Sequence, residues 1–208
     1  MDQINAAQYG SFEDLRAAPR FSLMLRAVKL VGESGQYLCI VRDVSESGTK
    51  LKLFHAPPDG TDLYLELANG ARYAVERVWS ADGHVGFRFV APIVVDEFLE
   101  EAGPHQRRPL RLKIEREGLV HVAGLAGAVF LHDLSQQGAR IEAACHIAIG
   151  QQLRLEVPGL PPRVARARWR RGQAYGLAFE ETFRLDELAR LLHSLTIMPA
   201  DIPVAVCG

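Results

Sequence analysis

The chain has 208 residues, of which 48% are hydrophobic and 24% are charged, and its formal net charge at pH 7 is −1. These values are ordinary for a soluble globular protein with one or two domains, and they exclude a chain that binds polyanions through overall charge. The three cysteines are odd in number and lack CxxC spacing, which argues against a disulfide framework and against a zinc site.

The N-terminal residues show no basic region followed by an apolar run, so no signal peptide is predicted. The longest apolar stretch, residues 119–131, is too short to span a bilayer. We therefore expect a cytoplasmic protein without a membrane span.

Short β-strands dominate the first half of the chain. Apolar or alternating segments predict strands over residues 37–44, 49–54, 63–67, 73–79 and 85–89. Pro57-Pro58-Asp59-Gly60 and Asp82-Gly83 predict turns between them. A short helix over Val95–Glu101 follows, and several short strands at this spacing are typical of a barrel or sandwich.

The chain contains an internal repeat. The segment from Asp43 to Gly48 recurs from Asp133 to Gly138, at an offset of 133 − 43 = 90 residues. The same offset relates Gly60 to Gly150, Leu63 to Leu153, Trp79 to Trp169, Gly86 to Gly176 and Phe89 to Phe179. A period of this length fits a small domain better than a solenoid unit, so two similar domains are predicted.

The predicted domains are residues 1–103 and 104–196, followed by a C-terminal tail at 197–208. The second domain ends in a helix, because Leu188, Leu191, Leu192 and Leu195 share one helical face. Charge also divides the chain: residues 1–103 carry 10 Lys/Arg and 15 Asp/Glu, a net of −5, whereas residues 104–208 carry 14 and 10, a net of +4. The nearly lysine-free basic half hints at contact with an anion or a partner.

Each copy carries two polar motifs in the same order. An RxxxR pair, Arg16 with Arg20 or Arg107 with Arg111, precedes a DxSxxG segment. An aspartate and a serine two residues apart on a strand lie on the same face, and the carboxylate can accept hydrogen bonds from guanine N1–H and the exocyclic amine. Two arginines can bind guanine O6 and N7 or phosphate, and a glycine permits positive φ at the turn.

These motifs resemble the signature of the PilZ family, and Trp79 with Gly86-x-x-Phe89 and its repeat resemble the closing hairpin of that family. The resemblance implies an all-β protein: two similar six-stranded antiparallel β-barrels with short flanking helices, each followed by a C-terminal helix. It implies a non-enzymatic receptor for the bacterial second messenger cyclic di-GMP, with no cofactor and with a downstream protein partner. By this resemblance the ligand contacts are Arg16, Arg20, Asp43, Ser45 and Gly48 in the first copy, and Arg107, Arg111, Asp133, Ser135 and Gly138 in the second.

The arginine pairs depart from the common offset. They align only at 107 − 16 = 91, which indicates either a one-residue insertion or deletion in the loop that follows the arginines, or an accidental second RxxxR in an arginine-rich stretch.

Purely structural interpretations of the same residues, without ligand binding, stay open. An isolated RxxxR is usually a solvated basic face, and an isolated DxSxxG is usually a strand followed by a turn. Trp79 and Trp169 are predicted to anchor the two cores. Ala165, Ala167 and Trp169 are expected on one strand face, and Arg166, Arg168 and Arg170 on the other, as an exposed face or a phosphate-binding or partner surface.

Two other functions remain possible. A degenerate pair of barrels could bind only protein partners, and a small-barrel protein could bind nucleic acid. The net charge and the lack of a basic aromatic platform beyond Trp169 disfavour nucleic acid. No common hydrolase, metalloprotease or phosphate-loop motif is present in the sequence, which argues against an enzyme.

Overall fold

Residues 21–58, 60–100 and 109–197 are described by the computed structural model, and most of them lie in β-strands. The first half forms β1 (Phe21–Gly32), β2 (Gly35–Val44), β3 (Gly48–Lys52), β4 (Leu63–Glu66), β5 (Arg72–Ala81), β6 (His84–Phe89) and helix α1 (Val95–Glu100). The second half forms β7 (Leu112–Val122), β8 (Leu125–Leu134), β9 (Gly138–Ala143), β10 (Gln152–Glu156), β11 (Arg163–Arg171), β12 (Ala174–Phe179) and helix α2 (Leu185–Ile197).

The strands form two closed antiparallel barrels with the same topology. The first has the order β1-β2-β3-β6-β5-β4, and the second has the equivalent order β7-β8-β9-β12-β11-β10. The predicted pair of similar six-stranded barrels is therefore confirmed. The residue patterns alone indicated five strands per copy; β1 and β7 followed only from the family resemblance.

Strand β2 is covered on both faces. Tyr37 and Cys39 face the core of the first barrel, whereas Leu38 belongs to the apolar cluster that includes Leu188 and Leu192 of α2. A strand that is buried on both faces reads as a continuous apolar run, and residues 37–41 show this pattern.

The two barrels contact each other through α2, β2 and β7. Within the second half, the guanidinium of Arg116 on β7 donates to the carbonyl of Leu195 on α2 at 2.5 Å. The backbone N–H of Lys113 on β7 donates to the side-chain oxygen of Gln36 on β2 at 3.1 Å. Helix α2 thus packs on its own barrel and also joins it to the first.

Several predicted boundaries lie at or beyond the limits of the described residues. Helix α1 is described to Glu100, and the predicted domain boundary at residues 103–104 lies outside the described residues. Helix α2 ends at Ile197, the first residue of the predicted tail, and residues 198–208 lie outside the described residues. No helix in the described ranges is long and apolar enough to cross a membrane.

Candidate ligand-binding site

The end of β8 places Asp133 between two cationic neighbours. In the strand register Asp133 lies opposite Lys113 of β7 and Arg140 of β9. Leu134, the next residue, is buried in the barrel. Because side chains alternate along a strand, Asp133 lies on the outer surface.

The carboxylate of Asp133 holds two guanidinium groups. Arg111 donates from Nη1 to Oδ1 at 2.6 Å, and Arg140 approaches from Nε to Oδ2 at 2.7 Å. The side chain of Asp133 is only 13% exposed, whereas the two arginines are 40% and 44% exposed. Aspartate therefore fixes the two cations, while their remaining N–H groups face solvent and can bind an anion or a base edge.

The motif serines lie in turns and not on strands. Strands β2 and β8 end at Val44 and Leu134, one residue before Ser45 and Ser135. The two hydroxyl groups donate to the carbonyls three residues later, at 3.2 Å from Ser45 and 3.1 Å from Ser135. The expected placement of Asp and Ser on one strand is thus wrong, because the turn uses the serine to bond its own backbone. Their role as ligand contacts stays a prediction.

Gly48 and Gly138 are required by space and not by positive φ. Neither is among the glycines with positive φ. A Cβ on Gly48 would lie 2.6 Å from the carbonyl oxygen of Phe87, and one on Gly138 would lie 2.0 Å from that of Leu177. The expected reason for these glycines is therefore wrong: they allow neighbouring strands to approach at the turn.

The two tryptophans lie on the outer surface, so the prediction that they anchor the cores is wrong. In β11 the register shifts between Ala167 and Trp169, which places Trp169 opposite Gly176. A Cβ on Gly176 would lie 1.9 Å from the indole nitrogen, so the ring lies flat on this glycine. Trp79 has the same arrangement on Gly86, and the tryptophans are 42% (Trp79) and 38% (Trp169) exposed. The bulge reverses the expected strand alternation and exposes the ring.

A groove of about 810 Å³ lies between the barrels, beside these residues. Its charged and aromatic lining comprises Arg111, Asp133, Arg140, Trp169 and Arg171 from the second barrel, and Lys29 and Glu66 from the first. Small-molecule sites usually occupy about 300–1,000 Å³, so the groove can hold a nucleotide-sized ligand.

The wall from the first barrel is also organised by ion pairs. Glu66 pairs with Lys29 and, at 2.8 Å, with Arg72. Burial alone would raise the pKa of the Glu66 carboxyl, but the hydrogen bonds and charges of Lys29 and Arg72 outweigh it and lower the pKa. Glu66 therefore remains ionised and holds Lys29 at the groove.

Sequence reasoning missed Arg140 and the wall formed by Lys29 and Glu66. Arg140 lies two residues after Gly138, so the antiparallel turn itself could have indicated that it returns beside Asp133. Arg171 ends β11, and its sequence position next to other arginines does not distinguish it as a groove residue. The inter-barrel wall has no local sequence signal, because it depends on how the barrels pack.

Other arginines of β11 support the purely structural interpretation of that strand, in which they form an exposed face without ligand binding. Arg166 pairs with Glu180 at 3.0 Å, and Arg163 pairs with Glu187 at 2.7 Å. Ala165 and Ala167 are buried as predicted. These two arginines stabilise the barrel surface through local ion pairs.

The first barrel has a groove of about 240 Å³ beside Lys50 and Trp79, which Ser45 and Gly48 also line. Asp43 lies opposite Lys50 in the strand register. Arg16 and Arg20, like Arg107 in the second copy, lie outside the described residues.

The strand register explains the shifted arginine pairs. Ser22 lies opposite Asp43, and Lys113 lies opposite Asp133, so the offset here is 113 − 22 = 91. Beyond the bulge, Arg26 and Arg116 are equivalent at an offset of 90. The extra residue therefore lies in the bulge of strand β1 and not in a loop. Arg20 and Arg111 each come directly before equivalent strand positions.

No group of three or more His, Cys, Asp or Glu side chains within residues 21–58, 60–100 and 109–197 is placed to hold a metal ion. The chemistry of the groove is that of cations, carboxylates and one indole ring.

Comparison with known proteins identifies the family. A protein-family model described as the PilZ domain matches residues 14–100 and again residues 105–196. The matches cover more than half of the chain, which therefore belongs to the PilZ family, a family of cyclic di-GMP receptors, with two tandem domains. A comparison with curated protein sequences found no match.

A comparison with solved structures matched proteins from several bacteria. PlzA from Borreliella burgdorferi in complex with c-di-GMP is 15% identical, with coverage of 83% of this chain and 88% of that chain and a TM-score of 0.33. YcgR from Escherichia coli in complex with c-di-GMP is 12% identical, with coverage of 82% and 83% and a TM-score of 0.31. The inhibitor of motility MotI/DgrA from Bacillus subtilis is 12% identical, with coverage of 83% and 96% and a TM-score of 0.34. Nothing about the site of this chain follows from likeness at this level.

Proposed function

We propose that this chain is a non-catalytic receptor for cyclic di-GMP and that the groove between its barrels is the main binding site. One observation carries the proposal: Asp133 fixes Arg111 and Arg140 side by side at a nucleotide-sized groove. Membership of the PilZ family supplies the identity of the ligand.

The charge of the groove complements the ligand. Four cations (Lys29, Arg111, Arg140 and Arg171) and two carboxylates (Glu66 and Asp133) line it, a balance of 4 − 2 = +2. Cyclic di-GMP carries two phosphodiester charges, so the bound complex would be close to neutral. Favourable attraction also speeds association with an anionic ligand.

The groove also offers contacts for the bases. The planar guanidinium groups of Arg111 and Arg140 can bind guanine O6 and N7 or a phosphate through paired hydrogen bonds. The exposed indole of Trp169 provides a face on which a base can stack. Arg107, Ser135 and Gly138 complete the proposed contacts of the second barrel.

The first barrel is proposed as a second, weaker site. Its contacts would be Arg16, Arg20, Asp43, Ser45 and Gly48. Lys50 and Trp79 occupy positions equivalent to Arg140 and Trp169. Lys50 lacks the planar fork that Arg140 offers to a base or a phosphate, which supports a lower affinity for this site.

Signal output would follow from the position of the main groove. A ligand that contacts both barrels favours the packing in which its groove is complete, and it shifts the equilibrium by its difference in affinity for the two arrangements. A downstream partner would detect the altered packing.

Calorimetric titration of the full chain tests the proposal. Cyclic di-GMP should give saturable heat, whereas GTP and cyclic di-AMP at the same concentrations should not. Arg140→Ala should weaken binding by about tenfold or more, the scale of one lost hydrogen bond to a charged group. Arg184→Ala, an exposed arginine beside α2, is the matched control.

Absence of heat with cyclic di-GMP would contradict the proposal and favour a barrel pair that binds only proteins. Equal affinity of the Arg140→Ala and Arg184→Ala variants would place the ligand elsewhere.

A further inference from the structure

Two histidines stack at the contact between the barrels. His55 follows β3 of the first barrel, and His193 lies on α2 of the second. Their ring centroids are 4.2 Å apart with an interplanar angle of 13°, and the ring of Tyr37 lies 5.1 Å from that of His55. We call this pair the histidine contact.

The hydrogen bonds of the histidine contact fit uncharged rings. Nδ1 of His55 lies 2.6 Å from the carbonyl oxygen of Ala56. A carbonyl can only accept, so Nδ1 carries the proton and Nε2 is the basic nitrogen. That Nε2, like Nδ1 of His193, is buried without a hydrogen-bond partner among the described residues.

Protonation would therefore add an N–H group with no acceptor. Burial lowers the pKa of His55, the bond to the Ala56 carbonyl raises it, and the nearby His193 lowers it again; the net pKa lies below the ordinary value. If both rings were protonated, two like charges would face each other at stacking distance.

Four titratable side chains lie on the elements that meet at this contact: Tyr37 on β2, Lys52 on β3, Arg116 on β7 and Arg190 on α2. Tyr37 donates to Ser34 at 2.7 Å, Lys52 lies over the ring of Phe54, and Arg116 donates to the carbonyl of Leu195. Arg190 pairs with Asp186 at 3.2 Å. Besides burial, the groups that shift the pKa of His55 are the Ala56 carbonyl and His193, and no carboxylate is among them.

We propose that the histidine contact is a pH-sensitive joint between the two barrels, closed when both rings are neutral and weakened when they are protonated. The device is built from geometry: α2 of one barrel meets β2 and the loop after β3 of the other, and the only stacked ring pair within the described residues lies at this contact.

The direction of the effect follows from linkage. Separated histidines titrate at about pH 6.5, and docking lowers the pKa of His55. Docking is therefore fully favourable above about pH 6.5 and weakens as the pH falls below that value, because the separated state binds protons more readily.

Small-angle scattering of the full chain without ligand tests the joint. Between about pH 7.5 and about pH 5.5, the range in which histidine titrates, the radius of gyration should rise. Circular dichroism should show intact barrels over the same range. In a His55→Phe, His193→Phe double variant the rings still stack, and the radius should stay constant; His146→Phe, an exposed histidine, should behave as the unmodified chain.

A profile that does not change with pH in the unmodified chain would overturn the proposal, as would a change that persists in the double variant. Should the double variant fail to fold, NMR titration of His55 in the unmodified chain decides: its pKa must lie below the ordinary histidine value of about 6.5. A pKa at or above the ordinary value would also overturn the proposal.

One consequence rests on the proposed function. Since the barrels form opposite walls of the ligand groove, cyclic di-GMP should bind more weakly at the lower pH, and this loss should be smaller in the double variant. The scattering experiment needs no ligand, so failure of the joint and failure of ligand binding are distinguishable.

Discussion

The two barrels share a topology, yet their outer surfaces differ where a ligand would bind. Arg140 of the second barrel corresponds to Lys50 of the first, and Arg171 corresponds to Ala81. The grooves have volumes of about 810 Å³ and about 240 Å³. The duplicated fold thus preserves turns and cores, whereas binding capacity depends on a few outward side chains and on the neighbouring barrel.

Outward positions can differ in this way because they carry little of the barrel's stability. Leu51 and Ile141, which point inward on β3 and β9, are both fully buried. Substitution on the exposed face of a strand usually changes stability little, so Lys and Arg can replace each other there. They are not equivalent for recognition, since only arginine offers a planar fork for a base or phosphate.

The largest expected effect on ligand binding comes from removing the two arginines that pair with Asp133. An Arg111→Ala, Arg140→Ala double variant should lose about 3–6 kcal/mol of binding free energy, or at least about 100-fold in affinity, because two charged hydrogen-bonding groups are removed. The matched Arg20→Ala, Lys50→Ala variant of the first barrel should lose less. Calorimetry measures both, and the reverse order would assign the main site to the first barrel.

The tryptophans provide the next comparison. Trp169→Ala should weaken binding by about 1–3 kcal/mol, the value of one base stacked on an aromatic ring. Trp79→Ala should change the affinity of the main site by less. Each variant also exposes a glycine that the ring covers, so thermal unfolding serves as the control for structural damage. Equal losses of affinity would show that the grooves contribute alike.

Substitution of the glycines in the two DxSxxG turns tests the stability of the fold and not ligand binding. Gly138→Ala and Gly48→Ala should each destabilise the chain by about 1–3 kcal/mol through overpacking. The added Cβ lies closer to backbone in Gly138→Ala, at 2.0 Å against 2.6 Å, so that variant should be the less stable. Denaturant unfolding checks the order. A neutral effect at both sites would contradict the steric explanation.

The smallest effect is expected at the wall from the first barrel. Lys29→Ala should weaken binding to the main groove by about 0.5–1 kcal/mol, because the charge that is lost is already paired with Glu66. Lys52→Ala on the same barrel lies outside the groove lining and is the control. An unchanged affinity in Lys29→Ala would confine the site to the second barrel.

Residue spacing predicted the repeat and the shared order of the motifs, and it left a barrel or a sandwich open; the six-stranded barrels followed from the family resemblance. The sequence did not predict the exposed tryptophans, since one bulge residue, Arg168, reverses the alternation along β11. Bulges have no reliable sequence signal, and the same limit hid the position of the extra residue in β1. The sequence also did not predict that Lys29 lines the groove, because this position depends on the contact between the two domains.

The most direct test uses the two tryptophans of the chain, of which each barrel's groove contains one. In a Trp79→Phe variant the fluorescence of Trp169 reports the main groove alone, and in a Trp169→Phe variant that of Trp79 reports the other. Titration with cyclic di-GMP should quench Trp169 saturably at the concentration that calorimetry gives, with a smaller response from Trp79 that needs more ligand. A response from Trp79 at lower ligand concentration than Trp169, or none from Trp169 while heat shows that the ligand is bound, would contradict the assignment of the main site to the groove between the barrels.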